Sequence, residues 1–344
     1  MNFKKPYLIA EISANHLGSF QKAKKLILCA KKNGADAVKL QTYTPDTMTL
    51  KSSKSYFKIK SGIWKGYNMW DLYDKAKTPI HWHKRLFDYA KNIGITIFST
   101  PFDESSVDIL EKLRCPFYKI SSFEMTDLPL IEKVAKTKKP MIISTGMASL
   151  SEIKRTVKCA KKYGAKKIIL LYCVSNYPSK NSDFNLKNIA ILKKKFNCEV
   201  GLSDHSKDNL IAVLAVSQGA TIIEKHIALE NQKKGLDIKF SLKGKQIRIF
   251  RNIIDETYNL LKRKKFYRSA TENKSKLFRR SIFSYKKIKK GEKFSLENIR
   301  RVRPSFGLEP IYYNSLIGKK SPINMSAATP LRKSLLQKLK LKIK

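Results

Sequence analysis

The sequence predicts an α/β fold, a TIM (β/α)8 barrel, followed by a small β-rich domain. Three observations predict it. Eight short apolar runs alternate with helix-period segments over residues 1–264, the pattern of parallel strands buried on both faces. Several helix-to-strand junctions share one design. C-A-K-K-x-G-A occurs at 29–35 and again at 159–165, with looser versions at 89–98 and 217–226, and each puts a glycine where a helix ends. After residue 264 the text becomes turn-rich, and Gly291, Pro304, Pro310, Pro322 and Pro330 break any long helix.

The strands are expected at Tyr7–Ile12, Ala37–Gln41, Ile95–Ser99, Phe117–Ser121, Met141–Ser144, Ile168–Cys173, Val200–Ser203 and Thr221–Lys225. Helices fall between them near 19–33, 81–92, 104–113, 127–136, 150–163, 185–196 and 208–218, with a last one over about 243–264. Ser149 marks one helix start, and Ser151 offers a second start whose N3 residue is Lys154 rather than an acid. Eight such units match a barrel. An open doubly wound sheet would more usually show about five to seven strands and a glycine fingerprint after the first. The first loop, EISANHLGS (11–19), has one glycine. Residues 1–264 are therefore assigned to the barrel, 265–277 to a linker and 278–344 to the small domain. The terminal KSLLQKLKLKIK (333–344) reads equally well as a short helix or a basic tail.

The 344 residues carry 71 Lys and Arg against 27 Asp and Glu, a formal net charge of +44. The excess is +26 over 1–264 and +18 over 265–344, so it is spread rather than clustered. Much of it is lysine on helix faces, as at Lys22, Lys24, Lys25, Lys31 and Lys32. No zinc-finger spacing and no RNP-type aromatic strand accompanies it. The charge is read as a solvated surface that sticks to polyanions, with no specific nucleic-acid partner. A non-catalytic polyanion-binding module is the alternative this charge keeps open. Five cysteines without a CxxC pair fit free thiols in a reducing cytoplasm. The longest apolar runs, Ile168–Val174 and Leu210–Val216, have seven residues, against the ~18–20 needed to cross a bilayer. The first residues lack a signal-peptide pattern. A cytoplasmic location and no membrane partner are expected.

Barrel active sites lie at the C-terminal ends of the strands. Those ends carry Glu11, Lys39 with Gln41, Thr100, Lys119 with Ser122, Ser144, Ser175, Ser203 with His205, and Glu224 with His226. An ordinary core does not bury a polar group at every strand end, because each costs several kcal/mol without a partner. His205 and His226 close neighbouring strands and are candidate ligands of a divalent cation, Mn²⁺ or Mg²⁺, with oxygen from Glu11, Glu224, substrate or water. Lys39, Lys119 and the hydroxyls of Thr100, Ser122, Ser144 and Ser203 suit a small phosphorylated acid. The simpler role for Lys39 is pairing with Glu11. Lys119 as a Schiff-base lysine of an aldolase barrel is a rival, and Cys173 as a nucleophile a weaker one. His81 and His83 are expected at the surface or on a lid, and His16 in loop packing or in the site.

The motifs AEISANH (10–16), KLQTY (39–43), FSTPFD (98–103), YKISS (118–122), STGM (144–147), YP (177–178), GLSDH (201–205), EKH (224–226), GLDIKFS (235–241) and RVRPSFG (301–307) occur in this order. Together they make the chain resemble the sialic acid (nonulosonic acid) synthase superfamily, in which a barrel is followed by an antifreeze-like SAF domain of the β-clip type. QTYTPDTMTL (41–50), WKG (64–66), LYDKAKTP (72–79) and SSFEMTDLPLI (121–131) are most similar to its pseudaminic acid branch. The resemblance implies metal-dependent condensation of phosphoenolpyruvate with 2,4-diacetamido-2,4,6-trideoxy-L-altrose and water, releasing phosphate. The N-acetylneuraminate and legionaminic acid branches are the alternatives.

The same resemblance implies the residue roles. His205 and His226 hold the metal. Glu11 acts near the reacting carbons. Lys39, Thr100, Lys119, Ser122, Ser144, Ser175 and Ser203 surround phosphoenolpyruvate, with Ser175 standing where the neuraminate branch has Asn. Gln41, Asp237 and Arg303 bind the sugar. Arg303 reaches the site of a second subunit, so a domain-swapped homodimer is expected. Two departures from the family pattern stand in the small domain. Ser305 replaces the first Gly of R-P-G-x-G, and Ala328 replaces the Gly before T-P-L. A positive φ at Ser305 would cost about 1 kcal/mol.

Overall fold

The computed structural model describes residues 5–263 and 265–342. The chain divides into two units, Met1–Lys262 and Arg263–Lys344. In the first, eight parallel strands close on themselves: β1 (Tyr7–Glu11), β2 (Ala37–Thr42), β3 (Thr96–Pro101), β4 (Tyr118–Ile120), β5 (Met141–Ser144), β6 (Ile168–Cys173), β7 (Glu199–Asp204) and β8 (Ile222–Ala228). Each pairs with the next, and β1 pairs with β8, which makes the sheet a barrel. A two-residue strand, β9 (Leu242–Lys243), adds to the end of β8.

The outer ring is α1 (Phe20–Lys32), α2 (His83–Asn92), α3 (Glu104–Lys112), α4 (Leu128–Lys136), α5 (Leu150–Lys162), α6 (Lys187–Phe196), α7 (Leu210–Ser217) and α8 (Gln246–Leu261). Side-chain caps start several of these helices. Ser19, Asp103 and Asp127 accept the backbone N–H of Lys22, Ser106 and Leu130. α5 starts at Ser149, whose Oγ accepts Glu152 N at 3.3 Å while Glu152 Oε2 accepts Ser149 N at 2.7 Å. This reciprocal pair selects Ser149 over the Ser151/Lys154 alternative. At the repeated junctions Gly34 and Gly164 have φ of +86° and +101°, so the shared C-A-K-K-x-G-A text ends two helices by one backbone device. The barrel core is mostly Ile, Leu, Val, Ala and Phe from the strands and the helices around them.

Residues 43–82 lie between β2 and α2 as an irregular insertion with a short helix at Pro45–Met48, another at Met69–Ala76 and a backbone bridge from Lys58 to Asn68. Two histidines anchor it. His83 is fully buried, with Nε2 2.8 Å from Thr42 Oγ1 and Nδ1 3.2 Å from the Pro79 carbonyl. The expectation of a surface or lid role for His83 is thus corrected: the helix start it occupies is tucked against the end of β2. His16 is buried edge-on to Trp82, and its Nδ1 accepts Gly18 N at 3.1 Å, so it packs its loop.

The second unit has a small core of Ile282, Ile288, Phe294, Ile299, Leu308, Leu316, Leu331, Leu335 and Leu336. β10 (Ser281–Ser284) runs antiparallel to β11 (Ile299–Val302). The segment expected to be a bare linker carries a helical turn at Ala270–Lys274, capped by Ser269, whose Oγ accepts Glu272 N at 3.0 Å. A terminal helix, Lys333–Lys338, buries Leu335 and Leu336; residues 343–344 of the expected tail lie outside the described residues. Of the two departures from the family pattern, Ser305 does not adopt positive φ, whereas Ala328 sits at φ +55°. The left-handed strain, about 1–2 kcal/mol, therefore falls on Ala328.

Candidate active site

The carboxyl ends of the strands surround a cavity of ≈ 260 Å³. Register places its polar floor. Glu11 lies beside Lys39 across β1 and β2, Ser203 beside Glu224 across β7 and β8, and Glu11 beside His226 where the barrel closes. Lys39 and Lys119 are buried. Lys39 Nζ forms an ion pair with Glu11 and donates to Thr100 Oγ1 at 3.1 Å. Glu224 Oε1 accepts from Ser203 Oγ at 3.0 Å and lies 3.4 Å from Lys119 Nζ and 3.9 Å from Lys39 Nζ. Two ammonium groups and two carboxylates thus share the floor.

Their balance differs. Burial opposes the charge of both lysines. Around Lys39 the carboxylates of Glu11 and Glu224 overcome it, and the pKa is raised. Around Lys119 burial wins over Glu224, and the pKa is lowered. Glu224 is held below the usual carboxylate range, because Lys119 and Lys39 outweigh its burial. Its second oxygen, Oε2, is buried without a hydrogen-bond partner, as is Ser144 Oγ. Gly146 leaves room for this arrangement, since a Cβ there would collide with Ser175 Oγ and Ser122 Oγ.

His205 and His226 face each other with ring centroids 5.4 Å apart. Each presents Nδ1 to an oxygen: His205 to the Val174 carbonyl at 3.1 Å, His226 to Asp237 Oδ2 at 3.4 Å, the longer being an ion-pair distance rather than a formed hydrogen bond. The Val174 carbonyl keeps the proton on His205 Nδ1 and leaves its Nε2 as the free lone pair. Burial and the neighbouring His226 lower the His205 pKa to about 3, so its ring is neutral at pH 7. Two imidazoles facing each other, each with an oxygen behind its Nδ1, fit a divalent cation. Among the described residues no three His, Cys, Asp or Glu side chains converge into a cage. The protein would supply two nitrogens and leave the other positions to water and substrate, which is an open site.

The roof is different. Residues 43–82 contribute Tyr43, Met48, Ile59, Trp64, Leu72, Tyr73 and Ala76 to the cavity wall. Trp64 spans the mouth: its Nε1 donates to the Leu236 carbonyl at 3.3 Å, and its ring lies 5.4 Å from that of Tyr177. Phe102, Phe123 and Leu236 extend this apolar wall, and Gln41, Glu124 and Asp237 interrupt it with polar groups.

Of the residues expected from the sequence, Lys39, Gln41, Lys119, Ser122, Ser144, Ser203, His205, His226 and Asp237 line this one cavity. Glu11 and Thr100 lie behind Lys39 and hold it. Ser175 faces a neighbouring depression with Asn176 and Met147, though its Oγ is 3.8 Å from Cys173 Sγ on the cavity wall. Arg303 belongs to the second unit, in a cleft with Lys276, Arg279, Arg280 and Lys333. Cys173 is buried and its pKa is raised by burial, the opposite of an activated thiol. Sequence reasoning left out Tyr43, Trp64, Tyr73, Phe102 and Glu124. The first four were present as aromatic residues in the KLQTY, WKG, LYDKAKTP and FSTPFD segments and Glu124 as an acid in SSFEMTDLPLI, but no periodicity said that they would meet over the floor.

The chain belongs to the NeuB family of nonulosonic acid synthases, whose pattern matches residues 26–266, and the SAF domain matches residues 279–337; membership makes it a phosphoenolpyruvate-dependent synthase, an enzyme that forms a carbon–carbon bond. It is 45% identical over 318 residues to a pseudaminic acid synthase of Campylobacter jejuni, covering 92% of this chain and 93% of that one. To an N,N'-diacetyllegionaminic acid synthase of the same organism it is 37% identical over 320 residues, covering 92% and 96%. Its fold is similar to that of the N-acetylneuraminic acid synthetase of Leptospira borgpetersenii, with a TM-score of 0.71 at 30% identity, covering 79% of this chain and 90% of that one. Among the described residues no helix is long and apolar enough to cross a membrane.

Proposed function

We propose that the chain condenses phosphoenolpyruvate with 2,4-diacetamido-2,4,6-trideoxy-L-altrose to give pseudaminic acid and phosphate. The observation that carries this reading is the split cavity, an ionic floor under an apolar roof. The floor suits the phosphate and carboxylate of phosphoenolpyruvate, with Lys39 and Lys119 as charges and Ser122, Ser144 and Ser203 orienting oxygens. The roof of Met48, Ile59, Leu72 and aromatic rings suits a sugar whose deoxy carbon and acetyl groups present methyls instead of hydroxyls. The stronger likeness to the pseudaminic than to the legionaminic relative supports the same choice.

In the proposed reaction, C3 of phosphoenolpyruvate attacks the aldehyde carbon of the open-chain sugar, and the aldehyde oxygen takes a proton to become a hydroxyl. Water adds at C2, and C–O cleavage then releases phosphate. His205 and His226 would hold a divalent cation, which when bound supplies Lewis-acid polarisation of the aldehyde. Glu11 keeps Lys39 protonated and oriented. Either Glu11 or Glu224 can take the proton of the water. Glu224 presents the orphaned oxygen at the cavity wall, and an anion drawing on Lys39 and Lys119 makes that carboxylate more basic.

The proposal includes a homodimer in which Arg303 of one copy serves the sugar site of the other. Mixing inactive His205→Ala and Arg303→Ala proteins should then restore about a quarter of wild-type activity, the share expected from random pairing with one intact site per mixed dimer. No recovery on mixing would contradict it. The substrate itself is tested by phosphate release with a panel of amino-sugars. Preference for N-acetylmannosamine over the diacetamido-trideoxy sugar would sink the assignment.

A further inference from the structure

Behind the paired imidazoles lies a buried pair of opposite charges. Along β7 and its end, Ser203 and His205 face the cavity and Asp204 between them does not. Along β8, Glu224 and His226 face it and Lys225 does not. That outward layer is where barrel strands bury apolar side chains against the helices. On β8 it holds Ile223 and Ile227, both buried, and the Phe250 ring lies 6.0 Å from Lys225 Nζ. In this layer Lys225 and Asp204 form an ion pair of 2.7 Å, with side chains 1% and 0% exposed.

The pair is fully satisfied. Lys225 Nζ also donates to the Ser206 carbonyl at 2.6 Å, and Asp204 Oδ1 accepts Ser206 N at 2.8 Å. Asp204 and Lys225 are direct cross-strand partners. One lysine on β8 therefore grips the chain on both sides of His205, at Asp204 and at Ser206. His205 itself lies just beyond β7 and has no place in its ladder; its carbonyl accepts Ser179 N at 3.0 Å. A buried ion pair is often no more stabilising than a well-packed apolar pair of the same volume. Its presence here calls for another role than stability.

We propose that Lys225 and Asp204 are positioning residues that set His205 against His226 and so govern metal affinity. This rests on the reading of the two histidines as metal ligands. The clamp acts from the far side of the strands and touches neither substrate.

The test is Mn²⁺ binding to the full chain without substrates, read from the electron paramagnetic resonance of the free ion, beside phosphoenolpyruvate binding by calorimetry and thermal unfolding. Lys225→Met and Asp204→Asn are each expected to raise the Mn²⁺ Kd about 10–100-fold, the usual cost of losing support behind a metal ligand, with phosphoenolpyruvate affinity within about twofold of wild type. The double variant Asp204→Leu/Lys225→Met leaves no lone buried charge; it should melt near wild type and still bind Mn²⁺ weakly. Wild-type Mn²⁺ affinity in the double variant would overturn the proposal, as would equal losses of Mn²⁺ and phosphoenolpyruvate binding in the single variants. A wild-type protein that binds Mn²⁺ no better than His205→Ala would instead overturn the metal reading, and the clamp with it.

Discussion

The floor of the cavity is made of strand ends, and its roof of the irregular segment 43–82. On the floor Lys39, Lys119, Ser203 and Glu224 stand on β2, β4, β7 and β8, strands of one closed ladder whose register fixes their spacing. On the roof Met48, Ile59, Trp64, Leu72 and Tyr73 come from turns and two short helices, joined to the rest by contacts such as Trp64 to Leu236. In the proposed reaction the strand-borne part carries the charges that meet a three-carbon acid. The aperiodic part carries the apolar contacts proposed to choose a sugar. If this division holds, chemistry and specificity can be damaged separately.

The largest effect is expected on the floor. Lys39→Met removes a buried charge and leaves Glu11 without its counter-ion. It should lower kcat/KM by about 10²–10³-fold with every sugar in the panel. Equal residual activity in wild type and variant would break the comparison at its centre. Glu224→Gln should be nearly as damaging, since it alters both lysines at once. A smaller and more selective effect is expected on the roof. Trp64→Ala should raise KM for the diacetamido sugar about tenfold, in keeping with 1–3 kcal/mol for a lost apolar contact. It should leave the KM of phosphoenolpyruvate within about twofold. A fall in kcat with both KM values unchanged would mean that the roof serves the chemistry.

The smallest effect is a pH limb that separates the two lysines. Binding of an anion by Lys119 is present while its ammonium is protonated and is lost as pH rises through its pKa, which burial sets below 10.5. Lys39, with its pKa raised by Glu11 and Glu224, keeps its charge to higher pH. The KM of phosphoenolpyruvate should therefore climb on the alkaline side before ordinary lysines titrate. That limb should disappear in Lys119→Met. Its persistence there would assign it to another group.

The floor was legible in the sequence because two rules act together. Strands buried on both faces stand out as apolar runs, and a polar residue closing such a run is costly enough to need a reason. Glu11, Lys39, Lys119, His205 and His226 were found in this way. The roof was not legible, because its contacts depend on where an aperiodic chain returns. Trp64 could not be placed over Tyr177 across 112 intervening positions of text. His83 misled for a related reason: a histidine at a helix start is commonly exposed, and only the approach of that helix to β2 buries it against Thr42. The Lys225–Asp204 pair was hidden inside two recognised motifs, GLSDH and EKH, where attention falls on the histidines. Ala328 shows the reverse case. The departure from glycine was visible in the sequence, while the backbone conformation that makes it costly was not.

The central claim is that an ionic floor and an apolar roof together select phosphoenolpyruvate and a methyl-bearing diacetamido sugar. It is tested most directly by comparing phosphate release from phosphoenolpyruvate with 2,4-diacetamido-2,4,6-trideoxy-L-altrose and with N-acetylmannosamine, at equal concentrations and with Mn²⁺ present. The expected result is release that depends on the sugar and on the metal and favours the trideoxy sugar by at least about 100-fold in kcat/KM, the discrimination open to several apolar contacts. Equal release with the two sugars, or a preference for N-acetylmannosamine, would contradict it.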